Sequence, residues 1–175
     1  MNIDAIPRRR NAWIPLFALI VSLLLAACAS PPPAPVAVVL TQYERTIAAL
    51  KAMNFEPADD GWRLTLPAPL IFPFDSDLVA ASAHDTLTRV GRELNELGIE
   101  RALVRGHTDT VGSHEYNLGL SKRRADAVAK VLSEGGFPVE RIDSKGLAAS
   151  MPTADNATAE GRSKNRRVVI IVQVI

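Results

Sequence analysis

Residues 106–128 read GHTDTVGSHEYNLGLSKRRADAV, and they join the end of an apolar run to the start of a helical pattern. The preceding residues, 101–107, read RALVRGH and indicate a short strand. From residue 117 to residue 133 the apolar residues recur with the period of a helix, and Gly135 and Gly136 end that pattern. A strand followed directly by a helix is a unit of an α/β fold.

One arginine falls among the apolar residues of this predicted helix. Successive helical residues are rotated by about 100°, and at that spacing Arg124 lies near the centre of the apolar arc, whereas Lys122 and Arg123 face water. The apolar members of the arc are Leu120, Ala127, Val128, Val131 and Leu132. A guanidinium on a buried face is costly unless it is paired.

Two interpretations of Arg124 are open at this point. Either it forms an internal salt bridge or extends its stem to water, or it belongs to a ligand site. Asp109 favours a ligand site, because it follows the end of the strand at 101–107, where open α/β sheets bind their ligands. A carboxylate and a guanidinium at one mouth of a sheet suit a zwitterion that has both an ammonium and a carboxylate.

The residues before this stretch predict one strand and one helix. Alternating apolar residues over 62–66 indicate a half-buried strand, which residues 70–74 could continue as an edge. Helical spacing over residues 79–98 indicates a helix, and either Ser76 or Asp77 would cap its start.

The residues after this stretch complete the predicted order. A brief strand is expected at 141–146, a long polar loop with a short helix follows, and the β-branched run at 168–175 is a buried strand. The order βαβαβ-(α)-β predicts an α/β (α+β) sandwich, in which helices pack on a small mixed sheet. The last strand is the candidate for antiparallel pairing.

The first residues have the pattern of a signal peptide. Residues 1–27 place three arginines before an uncharged apolar run that ends in small residues, directly before Cys28, the only cysteine of the chain. The residues LAAC at 25–28 resemble the bacterial lipobox, which implies cleavage before Cys28 and its lipidation. Ala29, rather than an aspartate, then favours a lipid anchor in the outer membrane, facing the periplasm of a Gram-negative cell. A membrane-spanning helix is the alternative, although the run is shorter than the usual 20 residues or so.

Three further regions follow the signal peptide. Residues 28–38 are rich in proline and alanine and predict an extended tether. Residues 39–60 predict an amphipathic helix and a turn, and the helix could pack on the domain or on a partner. The apolar stripe of this helix is Leu40, Tyr43, Ile47, Leu50 and Met53. Residues 61–175 are then the folded domain.

Composition and motif spacing argue against several functions. Aromatic residues make up 5% of the chain and no basic patch is interleaved with them, which argues against nucleic-acid binding. His107, Asp109 and Ser121 have the residue types of a hydrolytic triad, but no nucleophile elbow accompanies them. His107, Asp109 and His114 match no closed set of zinc ligands, and Arg124 would repel a metal ion. We therefore expect a binding domain with neither catalysis nor cofactor nor metal.

A family resemblance rests on three motifs. They are Gly106-His107-Thr108-Asp109 with Gly112, then Asn117 with Leu120-Ser121, Arg124-Ala125 and Val128, and finally Asn165-Arg166-Arg167-Val168. This pattern resembles the OmpA C-terminal domain family over roughly residues 70–175. With the lipobox, the whole chain resembles a peptidoglycan-associated lipoprotein or a related small OmpA-like lipoprotein.

The resemblance implies non-covalent binding of peptidoglycan through the diaminopimelate of its stem peptide. Asp109 would accept the ammonium of this ligand, and Arg124 would hold its carboxylate. Asn117 would orient the loop and donate to the ligand, and Arg166 would add a second cationic contact.

The resemblance also assigns Thr108, in the first motif, and Asp75, after Phe72-Pro73-Phe74, to this site. The protein would thereby tether the outer membrane to the cell wall. An envelope scaffold lipoprotein that acts mainly through contacts with other envelope proteins is the alternative.

Overall fold

The computed structural model describes residues 41–73 and 76–174. The chain divides into two units, Met1–Val39 and Leu40–Ile175, and the described residues all belong to the second. The predicted signal peptide, the tether and the lipidation of Cys28 lie outside the described residues, as does Asp75. Within the described part of the chain, every helix is too short or too polar to cross a membrane.

Five helices and five strands make up the described part, and we number them in chain order. The helices are α1 (Gln42–Ala52), α2 (Ala68–Ile71), α3 (Ala81–Glu96), α4 (His114–Glu134) and α5 (Ala159–Asn165). The strands are β1 (Glu56–Ala58), β2 (Gly61–Pro67), β3 (Ala102–His107), β4 (Ile142–Gly146) and β5 (Arg167–Val172). A short 3-10 turn, Val139–Arg141, precedes β4.

The strands form one mixed sheet in the order β1-β2-β5-β3-β4, which confirms the predicted α/β architecture. Strands β3 and β4 are parallel, because α4 connects them as a crossover. Strand β5 lies between β2 and β3 and is antiparallel to both, so the direction considered for the last strand is confirmed. Its central position explains why all of its residues are buried.

The core lies between one face of the sheet and helices α3 and α4. Val168 and Ile170 of β5 and Val104 of β3 face these helices and are fully buried. Gly106 permits the closest approach, because a Cβ atom at this position would lie 2.0 Å from the carbonyl oxygen of Ser121 in α4. The start of α4 is therefore held tightly against the end of β3.

Helix α1 packs on the domain, which settles the question that the sequence left open. Leu50 and Phe55 belong to the same hydrophobic cluster as the residues of the sheet. Thr41 caps α1 in a reciprocal capping box with Glu44. The apolar stripe predicted for this helix is wrong at Tyr43, because that residue is 59% exposed rather than buried.

Three other expectations about the elements are wrong. The predicted edge strand at 70–74 is wrong for its described residues, 70–73, because the chain turns into the short helix α2 (Ala68–Ile71), with a proline in its first turn. Neither Ser76 nor Asp77 caps α3; its N-cap is Ala80, which makes no side-chain hydrogen bond. Helix α4 begins at His114 rather than at residue 117, because Ser113 caps it by accepting from the backbone of Tyr116.

Candidate binding cleft

A cleft with a volume of about 640 Å³ opens at the end of β3, beside the first half of α4. The loop after β3, the short helix α2 and the junction of α5 with β5 complete its walls. Its charged and polar lining residues are Thr108, Asp109, Asn117, Arg124, Arg162 and Arg166. Its apolar lining residues are Ala68, Pro69, Phe72, Pro73, Val111, Tyr116 and Leu120. Five of the six predicted binding residues thus lie in one cleft; the sixth, Asp75, lies outside the described residues.

Asp109 is held in place through both of its carboxylate oxygens. Oδ1 accepts a hydrogen bond from the backbone N–H of Val111 at 3.0 Å, and Oδ2 accepts one from Nη1 of Arg166 at 2.7 Å. Only 10% of the Asp109 side chain is exposed, against 36% for Arg166. The carboxylate is therefore mostly buried and paired with a cation that itself reaches the solvent.

Asn117 fixes the loop that contains Asp109. Its Nδ2 donates to the carbonyl of Val111 at 2.9 Å and to that of Asp109 at 3.4 Å. The residue is 5% exposed, because α4 begins early enough to place it in its first turn. The loop conformation, which includes Gly112 at a φ of 93°, is thus stabilised by a buried amide.

Arg124 is buried, as the helical projection predicts, and is 8% exposed. Its Nε and Nη2 donate to the carbonyl oxygen of Ser76 at 3.2 and 3.1 Å. Its guanidinium carbon lies 5.2 Å from the centre of the Phe72 ring, within the range of a cation–π contact. Arg124 therefore has internal contacts and lies in the wall of the same cleft as Asp109, so it has features of both interpretations.

The neighbouring Arg123 behaves differently, as its position on the helix predicts. Its side chain is 53% exposed, and its Nε pairs with Asp77 at 2.6 Å. Asp77 does not cap α3 because that helix begins later, after Ala80.

Thr108 has a buried hydroxyl group that lacks a partner. Its backbone N–H donates to Ala148 at 3.0 Å, but its Oγ1 makes no hydrogen bond. The only other such buried side-chain atom within residues 41–73 and 76–174 is Nδ1 of His107. Because buried polar groups are nearly always paired, an orphaned hydroxyl in the wall of a cleft is a candidate ligand contact.

Sequence reasoning assigned none of the other eight lining residues to the site, among them Arg162, Phe72 and Tyr116. Arg162 lies in α5, and its Nη1 donates to the carbonyls of Asn156 and Ala157 at 3.0 Å each. The sequence signal for α5 was Thr158, whose side chain caps the helix. No pattern in the sequence indicated that α5 would face Asp109.

The arrangement offers no support for the rival sites. Ser121 is fully buried and exchanges hydrogen bonds with Leu118 and Ala148, not with His107. Nowhere in the described ranges do three potential metal-ligating side chains come together. What the cleft offers is a fixed carboxylate, several guanidinium groups and an apolar wall.

Comparison with known proteins identifies the family. The model of the OmpA family matches residues 71–166, more than half of the chain, and spans all three motifs around the cleft except the last two residues of the third. The chain belongs to the OmpA family. This family consists of structural domains rather than enzymes, and the chain shares that character.

Three relatives refine this assignment. The outer-membrane lipoprotein YfiB of Pseudomonas aeruginosa is 39% identical over 157 residues, which cover 90% of this chain and 89% of YfiB. The cell wall anchor of the type VI secretion system of P. aeruginosa has a TM-score of 0.61 at 32% identity, over 75% of this chain and 96% of that structure. The peptidoglycan-associated lipoprotein of Burkholderia pseudomallei has a TM-score of 0.55 at 28% identity, over 62% and 89% of the two chains. The similarity to the outer-membrane lipoprotein YfiB places the OmpA-family chain at the outer membrane, facing the periplasm.

Proposed function

We propose that this protein is an outer-membrane lipoprotein that binds peptidoglycan non-covalently through diaminopimelate and so links the outer membrane to the cell wall. The observation that supports this most is that Asp109 and Arg124, each less than a tenth exposed, line one cleft. Two of the structural relatives are described as a cell wall anchor and as a peptidoglycan-associated lipoprotein.

The two charged groups would divide the ligand between them. The Asp109 carboxylate would accept the ammonium of diaminopimelate, and the Arg124 guanidinium would hold its carboxylate. Arg166, which already pairs with Asp109, would add a second cation for the same carboxylate. The contact between Arg124 and the Phe72 ring would keep the guanidinium in place while the ligand binds.

Two polar residues would complete the site. The Thr108 hydroxyl, which has no partner among the described residues, would gain one from the ligand. Asn117 would keep the loop fixed through its 2.9 Å bond to the carbonyl of Val111, and donation to the ligand would replace its longer bond, 3.4 Å, to the carbonyl of Asp109. Asp75 remains a proposed member of the site.

The remaining parts of the proposal concern the attachment to the membrane. Residues 1–27 would be removed as a signal peptide, Cys28 would bear the lipid, and residues 28–38 would space the domain from the membrane. More than one acyl chain is needed for stable anchoring, and a lipidated N-terminal cysteine meets that need.

A pull-down with purified sacculi tests the wall-binding part. We expect Asp109→Asn and Arg124→Ala each to lower retention at least tenfold, because each leaves a ligand charge unpaired at a cost of about 2–5 kcal/mol. Arg123→Ala is the matched control, since this neighbouring arginine is exposed and pairs with Asp77. Free diaminopimelate should compete with the wild-type protein, a measurement that does not depend on the folding of any variant.

Two results would overturn the proposal. One is retention that free diaminopimelate does not reduce. The other is equal retention of the Asp109, Arg124 and Arg123 variants, with thermal unfolding curves that show all three to be folded.

A second candidate function is that of an envelope scaffold. Leu70 and Leu78 are 71% and 73% exposed. They lie on either side of residues 74–75, which are outside the described ranges. Exposed leucines of this kind suit a protein partner. Crosslinks from Leu78 to envelope proteins in cells, together with no retention on sacculi, would favour the scaffold over wall binding.

A further inference from the structure

A second cavity, with a volume of about 230 Å³, lies on the face of the sheet away from α3 and α4. Successive side chains of a strand point to opposite faces of the sheet. Every second residue of β2, β5 and β3 therefore faces this cavity, and the residues between them face α3 and α4. In the strand register, His107 lies beside Arg167, Arg105 beside Val169, and Arg63 beside Ile171. The cavity therefore has an apolar floor, and its charged and imidazole side chains are those of three arginines, one histidine and one aspartate, Asp60.

Only one of these arginines lacks a carboxylate partner within residues 41–73 and 76–174. Arg63 pairs with Asp60 at 2.7 Å, and Arg105 pairs with Asp143 at 3.1 Å. Arg167 donates only to the backbone carbonyls of Asn165 and Met151, at 3.2 and 2.9 Å. It is 7% exposed and has no carboxylate partner among the residues that the structure describes. Burial, with the nearby charge of Arg63, lowers the pKa of Arg167, yet a guanidinium remains charged at neutral pH.

The histidine beside this cation has an unused ring nitrogen. His107 is 5% exposed, and its Nδ1 makes no hydrogen bond. Burial and the charges of Arg167, Arg105 and Arg63 lower the pKa of His107 to about 4, so the ring is neutral near pH 7. A neutral imidazole has one N–H donor, which could serve an anion.

We propose that this cavity binds the carboxylate of a small ligand with an apolar body. Arg167 would supply the opposite charge, and the imidazole of His107 would donate the second hydrogen bond. The apolar body would lie over Val169 and Ile171 on the floor of the cavity. A carboxylate matches the charge of Arg167, and the apolar body of the ligand, which a phosphate ion lacks, matches the apolar floor.

This site is separate from the cleft, although the two share stretches of sequence. Arg166 faces the cleft and Arg167 faces the second cavity; likewise Thr108 lines the cleft and His107 the cavity. Successive side chains of an extended chain point to opposite faces of the sheet. A substitution can therefore change one site and leave the other intact. The proposal does not depend on peptidoglycan binding.

The test follows the three histidines of the full chain, purified in detergent, by imidazole ¹⁵N NMR. The probe is benzoate, which has one carboxylate on an apolar ring; benzamide, its uncharged isostere, and inorganic phosphate are the comparisons. We expect benzoate to shift the His107 signal saturably, without shifts of His84 or His114, and we expect benzamide to have no effect.

Variants locate the site. Arg167→Met should weaken benzoate binding at least tenfold, whereas Arg123→Met, the control at an exposed arginine of α4, should leave it within twofold. Thr65→Tyr provides an independent check, because Thr65 is an exposed residue at the cavity and a larger side chain there would fill it without changing a charge. It should also abolish the shift.

Four results would overturn the proposal. They are no saturable shift of His107 with benzoate, equal binding of benzamide, binding of phosphate in place of benzoate, and benzoate binding that survives both Arg167→Met and Thr65→Tyr.

Discussion

Nη1 of Arg166 lies 2.7 Å from Oδ2 of Asp109, and this ion pair joins the loop after β3 to the residue that precedes β5. The two residues are far apart in sequence, and the antiparallel pairing of β3 with β5 brings them together. Asp109 is the more buried partner, so its carboxylate depends on Arg166 for compensation more than Arg166 depends on it. The pair thus orients the carboxylate toward the cleft before any ligand arrives.

Removal of Arg166 alone should therefore destabilise the domain more than removal of both charges. We expect Arg166→Gln to lower the free energy of unfolding by about 1–3 kcal/mol, because it leaves Asp109 buried and unpaired. Asp109→Asn combined with Arg166→Gln should recover part of this loss. Urea unfolding of the two single variants and the double variant measures the coupling, and strictly additive effects would show that the pair has no mutual stabilisation.

Loss of the Thr108 hydroxyl should affect the stability of the domain and its binding to sacculi in opposite directions. Its buried hydroxyl has no partner, so Thr108→Val should leave the free energy of unfolding unchanged or raise it by up to about 1 kcal/mol. The same variant should weaken retention on sacculi if the ligand uses this hydroxyl. Thr110→Val, two residues further on at an exposed position, is the control for both measurements. A clear loss of stability in Thr108→Val would mean that the hydroxyl is paired after all.

Gly106 should tolerate no side chain. A Cβ atom there would lie 2.0 Å from the backbone of Ser121, so Gly106→Ala must push α4 away from the sheet. We expect a loss of about 3 kcal/mol in the free energy of unfolding, at the upper end of overpacking effects. Gly119→Ala is the matched control within α4, since its Cβ would meet only the flexible end of Arg123 at 3.3 Å. That change should stabilise the helix by up to about 1 kcal/mol; equal effects of the two variants would contradict the close contact.

The buried His107 should make stability depend on pH. Its folded pKa of about 4 is below its ordinary value of 6.5, so between these values the unfolded chain binds the proton more readily. Stability should consequently be highest above pH 6.5 and fall as the pH drops toward 4, by about 1–2 kcal/mol at pH 5. His107→Phe should remove this component from urea unfolding at pH 7 and pH 5, whereas His114→Gln, at an exposed position, should not. An unchanged pH dependence in His107→Phe would assign it to other groups.

Local patterns were sufficient for most of the helices and strands. The capping box at Thr41, the buried run of β5 and the buried position of Arg124 all follow from residues close together in sequence. The failures concern where elements begin. A proline lies in the first turn of α2, Ser113 caps α4 before the predicted start, and α3 begins after Ala80, beyond Asp77.

The sequence by itself determined that Arg124 is buried and that Asp109 follows the end of a strand, because a helix has a fixed period and an apolar run has a visible end. Only the tertiary structure decided that Arg166 pairs with Asp109, that Arg162 and Phe72 enter the same cleft, and that Arg167 and His107 meet on the other face. These contacts depend on the position of β5 between β2 and β3. Pairing between distant strands is set by the burial of the whole core, and no local stretch of sequence specifies it.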